Sequence, residues 1–219
     1  AVACDVSIEA DVQNLVDRTE AHFGPIDLFC SNAGISFGEP DSAASAGNEE
    51  WQTCWEIHVM AHVYAARAVL PGMIERGGGY FLQMASAAGL LNQIGDAAYS
   101  TTKHAAVGFA EALAISHGDE GIQVSVICPQ YVATPMLGYE EGDDFGDYPG
   151  VLGPDQVADS VIKGLEDESF LILPHPQVEK FHQHKATDYD RWIRGMRRLR
   201  SNIIEQIGST NLASMHKLV

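Results

Sequence analysis

The amino-acid sequence predicts an α/β fold in which a doubly wound parallel sheet carries helices on both faces. Apolar, strand-like runs alternate with helix-like segments along the chain. The strand-like runs are almost continuously apolar, which is typical of strands buried on both faces. The 219 residues are enough for one domain with a substantial core.

The first half of the chain contributes three strands and two helices to this prediction. An apolar start predicts a strand over residues 1–6, and Ser7 is a candidate N-cap for a helix that runs to residue 24. The apolar stripe of that helix comprises Ile8, Val12, Leu15, Val16, Thr19 and Phe23. A buried strand over 26–34, a long helix over 49–76 and a strand over 80–86 follow.

The second half continues the alternation after a helix that contains residues 97–109. Its further elements are a strand over 122–129, a loop rich in Gly, Pro and acids over 131–153, a helix over 154–167, a strand over 170–174 and a C-terminal helix over 177–204. Strands separated by helices in this way predict parallel crossover connections.

Charge and cysteine content restrict the class of protein. Thirteen basic residues against 30 acidic ones give a net charge of −17, which argues against a nucleic-acid partner because such proteins need a basic face. No run of 18 apolar residues occurs, so we expect no membrane span. Cys4, Cys30, Cys54 and Cys128 form no CxxC pair, which predicts buried free thiols in a reducing cytoplasm and no zinc site.

Tyr99 and Lys103 lie four residues apart in a predicted helix, so they share one helical face. A phenol has a pKa of about 10 and is a poor acid or base at neutral pH. An ammonium about 4 Å away favours the phenolate by at most about 4 kcal/mol at an effective dielectric of about 20. This spacing often arises by chance, but Ser86 precedes it at the carboxyl end of a predicted strand. Ligands of open α/β sheets bind at that edge.

These residues belong to a larger pattern. The pattern comprises Asp5-Val6, Asn32-Ala33-Gly34, Ser86, Tyr99, Lys103, Pro129 and Thr134. In their order and spacing over residues 1–175 the sequence resembles the short-chain dehydrogenase/reductase family, in its short single-domain form. The resemblance implies a Rossmann-like dinucleotide-binding and catalytic domain over 1–175, with a helical extension of the same domain over 176–219.

The resemblance also implies a role for each residue. Tyr99 would be the general acid/base, Ser86 would position the reacting oxygen, and Lys103 would hold the nicotinamide ribose and lower the pKa of Tyr99. The other residues implied to contact NAD or NADP are Asp5 and Val6 at the adenine, Asn32, Ala33 and Gly34 along the cofactor wall, Pro129, and Val132 and Thr134 at the carboxamide. Hydride would pass between the nicotinamide and a small alcohol or carbonyl substrate.

The sequence departs from the family at two places. His58 occupies the position where the family usually has a catalytic asparagine. An imidazole also accepts and donates hydrogen bonds, so His58 is either a member of a proton relay or a histidine that packs at the edge of the core. The glycine-rich phosphate turn and the first two strands of the family are not found, which predicts a fragment with a bare sheet edge and poor cofactor binding.

Three functional interpretations follow. The first is an NAD(P)-dependent oxidoreductase acting on a secondary alcohol or ketone, and it is favoured because Ser86, Tyr99 and Lys103 occur together. The others are a non-catalytic binding protein on the same fold and an inactive fragment of the enzyme. The resemblance further implies a homodimer or homotetramer. Neither the choice between NAD and NADP nor the substrate can be read from the sequence.

Three remaining features point to structure rather than chemistry. The acidic stretch 138–150 favours a solvated loop over a lid for cationic substrates. His175, His182 and His184 lack metal-ligand spacing. The basic segment 191–200 favours a packing helix over membrane or anion contact, and its apolar stripe is Trp192, Ile193, Met196 and Leu199.

Overall fold

Four parallel strands form the central sheet. The computed structural model describes residues 1–39, 42–140, 142–146, 148 and 150–218. In chain order its strands are β1 (Leu28–Ser31), β2 (Gly79–Met84), β3 (Ile122–Ile127), β4 (Tyr131–Val132), β5 (Val151–Leu152) and β6 (Leu171–Ile172). The sheet has the spatial order β1-β2-β3-β6, and β4 pairs with β5 in a separate two-stranded sheet. This topology confirms the predicted parallel α/β fold.

Helices cover both faces of the sheet. They are α1 (Glu9–Phe23), α2 (Asn48–Trp55), α3 (Ala61–Glu75), α4 (Ala97–His117), α5 (Pro154–Glu166), α6 (Gln177–Thr187), α7 (Tyr189–Ile207) and α8 (Leu212–Met215). One core packs α3 and α4 against alternate strand residues such as Phe81 and Val126. The neighbouring residues Leu82 and Ile127 face the other way, toward α5. This alternation gives β2 and β3 two covered faces.

The prediction of a strand over residues 1–6 is wrong. Residues 1–5 have no regular structure, and a turn follows them. A strand is held by hydrogen bonds to a neighbour, and among the described residues β1 pairs only with β2. The Asp5 carboxylate instead accepts hydrogen bonds from the Ser7 amide at 2.9 Å and the Ser7 hydroxyl at 2.7 Å. Ser7 therefore does not cap α1, whose N-cap is Ile8.

β1 forms an edge of the sheet and is only partly covered. Leu28 and Cys30 on this strand are exposed. The expectation of buried thiols is therefore wrong for Cys30, although Cys54 and Cys128 are fully buried. All four cysteines are free thiols.

A π-helical turn at Glu56–Met60 joins α2 and α3 into one long helix, which confirms the prediction for residues 49–76. By length and composition the span Asn48–Glu75 is apolar enough to cross a bilayer, which the sequence reading missed. The same helix packs against α1, α4, β1 and β2. A core helix of a globular protein has these same properties, so composition alone does not indicate a membrane.

The C-terminal region contains two helices where the sequence predicts one over 177–204. The helix is interrupted at Asp188. The side chain of Asp188 accepts a hydrogen bond from the Arg191 amide at 2.9 Å and so caps α7. The region contacts the rest of the chain through Lys185, whose Nζ donates to the Leu90 carbonyl at 2.6 Å. The division of the chain at residue 175 stays a prediction.

Candidate active site

Ser86 lies just beyond the carboxyl end of β2. It is buried and begins a 3-10 turn, Ala87–Gly89. Its Oγ accepts a hydrogen bond from the Ala88 amide at 3.1 Å and donates one to the Pro129 carbonyl at 3.4 Å. Because Pro129 follows β3, the Ser86 hydroxyl sits between the ends of two neighbouring strands, at the edge where ligands of such sheets bind.

Helix α4 brings Tyr99 and Lys103 to the same edge. The helix starts at Asp96, whose Oδ1 accepts a hydrogen bond from the Tyr99 amide at 3.1 Å. Lys103 is 2% exposed, and its Nζ donates to the Met84 carbonyl at the end of β2 at 3.0 Å. The same Nζ lies 5.5 Å from the centre of the Tyr99 ring. The structure thus groups Ser86, Tyr99 and Lys103 at one strand end.

Burial sets the protonation of this group. It raises the pKa of Tyr99 to about 12, and hydrogen bonding by the Ser86 hydroxyl opposes this only in part. Burial also lowers the pKa of Lys103 to about 8. Burial dominates the shift of the phenol, and the lowering of the Tyr99 pKa by Lys103 stays a prediction. At neutral pH the phenol carries its proton and can donate it.

Both ring nitrogens of His58 have hydrogen-bond partners. Nε2 accepts from the Ile35 amide at 3.1 Å. Nδ1 lies 2.8 Å from the Thr102 hydroxyl, which itself donates to the Ala98 carbonyl at 2.8 Å. This network assigns the proton to Nδ1 and leaves Nε2 as an acceptor. Neither nitrogen is free to hold a further group without losing a partner.

The surroundings of His58 keep it neutral. Burial, and then the charge of Lys103, lower its pKa to about 3. Its ring packs edge-on against Tyr99, with 5.3 Å between ring centres. It lies in the π-helical turn, a feature that is frequent at functional sites. The geometry favours a histidine that braces the chain after β1 against α4, and a direct catalytic role stays a hypothesis.

Of the residues predicted at the adenine and along the cofactor wall, the structure brings some together and leaves Asp5 apart. Asn32, Ala33 and Gly34 follow β1 and are exposed. Asn32 and Ala33 line a cavity of about 210 Å³ with Val6. The contact of this concave wall with one end of a dinucleotide stays a prediction. Asp5 does not line the cavity. Its carboxylate accepts hydrogen bonds from the amide and the hydroxyl of Ser7.

The predicted residues after β3 lie at the same sheet edge. The Pro129 carbonyl accepts a hydrogen bond from the Ala87 amide at 2.7 Å, next to Ser86. Val132 belongs to β4, and the Thr134 hydroxyl donates to the Val132 carbonyl at 3.3 Å. Pro129, Val132 and Thr134 therefore follow β3 in the segment next to Ser86, and their cofactor contacts stay a prediction.

Sequence reasoning missed the part that His175 plays. Its Nδ1 accepts from the Gln130 amide at 3.0 Å, and its Nε2 donates to the Tyr131 carbonyl at 3.0 Å. His175 thus fixes the chain that leaves β3, and both nitrogens are used. Within the described part of the chain no group of His, Cys, Asp or Glu is placed to hold a metal. The only signal in the sequence is a histidine directly after a predicted strand.

Two more features have clear structural roles or surroundings. The acidic loop uses Asp143 and Asp144 to accept hydrogen bonds from the nearby amides of Glu140 and Gly146. Residues 141, 147 and 149 of this loop lie outside the described part. His62 on α3 is fully buried, and neither of its ring nitrogens has a partner among the described residues. His62 lines the 210 Å³ cavity. No motif in the sequence indicates this position of His62.

Comparison with known proteins extends this picture. The family model described as short chain dehydrogenase matches residues 1–144. The chain is 33% identical over 202 residues to the CLA biosynthesis dehydrogenase/reductase of Lactiplantibacillus plantarum, which covers 80% of this chain and 70% of that protein. It is 32% identical over 176 residues to 17-beta-hydroxysteroid dehydrogenase 13 of Mus musculus, which covers 78% of this chain and 55% of that protein.

A solved structure shows the same fold. A short chain dehydrogenase/reductase from Burkholderia phymatum, in complex with NAD, matches with a TM-score of 0.76 and 25% identity. The match covers 86% of this chain and 75% of that one. The family model and the two relatives together show that the chain belongs to the short-chain dehydrogenase/reductase family.

Proposed function

We propose that the chain is the catalytic part of an NAD(P)-dependent oxidoreductase that interconverts a secondary alcohol and a ketone, with Tyr99 as general acid/base. The observation that carries the proposal is the buried ammonium of Lys103, 5.5 Å from the Tyr99 ring and beside Ser86 at the sheet edge. Burying a cation costs free energy, and titratable groups that are perturbed by burial cluster at functional sites. The family relatives named dehydrogenases support the reaction class.

The protonated phenol fits the reductive direction. With its pKa raised to about 12, Tyr99 holds a proton at neutral pH and donates it to the carbonyl oxygen of a ketone. The Ser86 hydroxyl orients that oxygen by a hydrogen bond. In the oxidative direction the proton returns to the phenolate, which the Lys103 ammonium stabilises. The bound nicotinamide supplies or receives the hydride.

The cofactor has two anchoring regions in the described chain. Val6, Asn32 and Ala33 form the concave wall proposed for the adenine half. Lys103 and Thr134 are proposed to hold the nicotinamide half. The proposed cofactor is NAD or NADP, and the neighbour solved with NAD supports a dinucleotide of this class.

Assembly and location are also proposals. The exposed Trp55 and Ile115, on α2 and α4, are consistent with a homodimer or homotetramer formed through these helices. The four free thiols are consistent with the cytoplasm. Light scattering on the purified chain measures the mass, and a monomer at micromolar concentration contradicts the assembly.

The test is turnover of an alcohol and ketone panel by wild type and Tyr99→Phe, followed by absorbance of NADH and NADPH. We expect Tyr99→Phe to lose 10²- to 10⁴-fold in rate, the range of general acid/base catalysis. Cofactor affinity of the variant, measured by calorimetry, serves as the control for folding. Equal rates for the two proteins contradict the proposal.

A further inference from the structure

Two cavities that share lining residues, together called the channel, lie between Ser86 and two arginines on α7. A first cavity of about 100 Å³ is walled by Ser86, the 3-10 turn after it, residues 91–94 and α7. A second cavity of about 440 Å³ is walled by the same residues 91–94, together with Trp192 and Met196, which also line the first. The shared walls make the two cavities neighbours.

Helix α7 presents an apolar stripe to the first cavity and cations to the second. The stripe, spaced by three or four residues, is Trp192, Met196, Leu199 and Ile203. Arg197 and Arg200 each follow a residue of the stripe, so they are turned by about 100° around the helix and line the second cavity. The α7 wall is therefore apolar beside Ser86 and carries two cations in the second cavity.

Arg197 and Arg200 are available to a ligand. Both are exposed, and in the part of the chain that the structure describes neither forms an ion pair. Lys185 also lines the second cavity but is committed: its Nζ donates to the Leu90 carbonyl at 2.6 Å and lies 3.3 Å from Nε2 of His104.

Two carboxylates line the same cavity, at the start of α4. Glu39 accepts a hydrogen bond from the Ala97 amide at 2.9 Å, and Asp96 accepts from the Ser36 hydroxyl at 2.6 Å and the Tyr99 amide at 3.1 Å. The positive end of the helix dipole stabilises both charges there. Oε1 of Glu39 has no partner among the described residues and is left to accept a hydroxyl group. An anionic group therefore belongs at the α7 side.

We propose that the substrate is an alcohol or ketone on a long apolar chain that ends in a carboxylate, and that Arg197 and Arg200 bind this carboxylate. A guanidinium donates two parallel hydrogen bonds to the two oxygens of a carboxylate. The chain has a net charge of −17, so its surface repels anions in general. The two arginines would attract a carboxylate locally. The proposal rests on the proposed function, because it puts the reacting oxygen at Ser86.

Binding without turnover tests the anion site. Dodecanoate has no reacting carbonyl carbon, and calorimetry below its micelle concentration compares it with methyl dodecanoate. The proteins are wild type, Arg197→Gln/Arg200→Gln, and the matched control Arg194→Gln/Arg198→Gln, which removes the same charge from α7 outside the channel. We expect wild type and control to bind the acid about tenfold more tightly than the ester, and the first variant to bind the two about equally.

Three outcomes overturn the inference. Wild type binds acid and ester equally, or the two double variants lose the preference equally, or wild type binds phosphatidylglycerol vesicles and both double variants lose that binding. The last result assigns the arginines to a lipid surface. Failure of the proposed function looks different: dodecanoate binds as expected, yet wild type and Tyr99→Phe reduce an oxo acid at the same rate.

Discussion

Lys103 links the chemistry of the site to pH. Its buried ammonium donates to the Met84 carbonyl at 3.0 Å and faces the Tyr99 ring. Burial lowers its pKa to about 8, so the side chain loses its charge in mildly alkaline solution. Only the charged form stabilises a phenolate or draws a cofactor hydroxyl to the site as a strong donor. The activity should therefore follow the protonated fraction of Lys103.

We expect kcat/KM for ketone reduction to be level below about pH 8 and to fall as the pH rises through the pKa of Lys103. In Lys103→Arg the guanidinium stays charged, so the decline should move to higher pH, at a lower overall rate. Profiles of rate against pH for the two proteins measure this. A wild-type profile that stays level to about pH 10, near the ordinary lysine pKa, is incompatible with the expectation.

His58 gives a second prediction at this scale. Because its pKa is about 3 and both nitrogens are bonded, its titration should leave no inflection between about pH 5 and 8, where an unperturbed histidine titrates. His58→Asn should lower kcat/KM by roughly tenfold or less, with an unchanged profile shape, as a positioning role requires. If the wild-type profile has an inflection in that range and His58→Asn removes it, His58 belongs to the proton relay.

The sequence predicts these residues unevenly. Ser86, Tyr99 and Lys103 are recognisable because their spacing along the chain is enough to place them at one strand end. The hydrogen bonds of His58 with Ile35 and Thr102 are not recognisable from the sequence. They join residues far apart in the chain, and their geometry depends on the whole fold. The rise in the Tyr99 pKa is not evident from the spacing either, because it follows from burial in the folded chain.

At the scale of elements, the 3-10 turn that carries Ser86 packs closely on α4. A Cβ at Gly89 would lie 2.6 Å from the carbonyl oxygen of Lys103, which is shorter than side-chain packing allows. The contact is with main chain, so no side-chain movement relieves it. The distance between the turn and the helix therefore depends on the absence of a side chain at Gly89.

Gly89→Ala should reduce the free energy of unfolding by about 1–3 kcal/mol, as overpacking does, and should also lower activity by moving Ser86 from Tyr99. Gly108→Ala is the matched control. Gly108 lies in α4, the helix on which the turn packs, and nothing lies within 4 Å of the added Cβ. It should stabilise the chain by about 0.5–1 kcal/mol through helix propensity. Urea unfolding measures both, and equal effects of the two substitutions rule out the close contact.

Most elements follow from local pattern, and the exceptions have physical reasons. The apolar runs of β2 and β3 and the periodicity of α3, α4 and α5 were sufficient to predict them. Residues 1–6 have a strand-like composition but no pairing partner in the described sheet. The break at Asp188 depends on a single capping side chain. β4 and β5, with two residues each, are too short for any periodicity.

Across the whole molecule, buried neutral histidines link stability to pH. Burial lowers the pKa of His58 and of His62 to about 3 in each case, and the charge of Lys103 adds to both shifts. The unfolded chain binds a proton at each of these histidines below about pH 6.5. The unfolded state therefore holds more protons between about pH 6.5 and 3.

The free energy of unfolding should accordingly fall as the pH drops from about 6.5 toward 3. At about 1.4 kcal/mol per pKa unit, the two histidines together account for a loss of several kcal/mol. Urea unfolding at a series of pH values measures the slope, which should be shallower in His58→Asn than in wild type. Identical slopes in the two proteins contradict this origin of acid sensitivity.

The fold class is the best-predicted property of the whole molecule, because alternating strands and helices leave few topologies. The cavity between Ser86 and α7 was not predictable, since it depends on how the C-terminal helices pack on residues 91–94. The basic segment 191–200 was interpreted as a packing helix. In the structure Trp192, Met196 and Leu199 of its stripe line the first cavity, Ile193 is exposed, and Arg197 and Arg200 line the second cavity.

The most direct test of the central account follows the hydride itself. Cofactor carrying two deuterium atoms at C4 of the reduced nicotinamide is incubated with a ketone and either wild type or Tyr99→Phe, and the product alcohol is analysed by mass spectrometry. The account predicts deuterium on the carbinol carbon with wild type and 10²- to 10⁴-fold slower labelling with Tyr99→Phe. Unlabelled alcohol from wild type, or equal labelling rates in the two proteins, contradicts it.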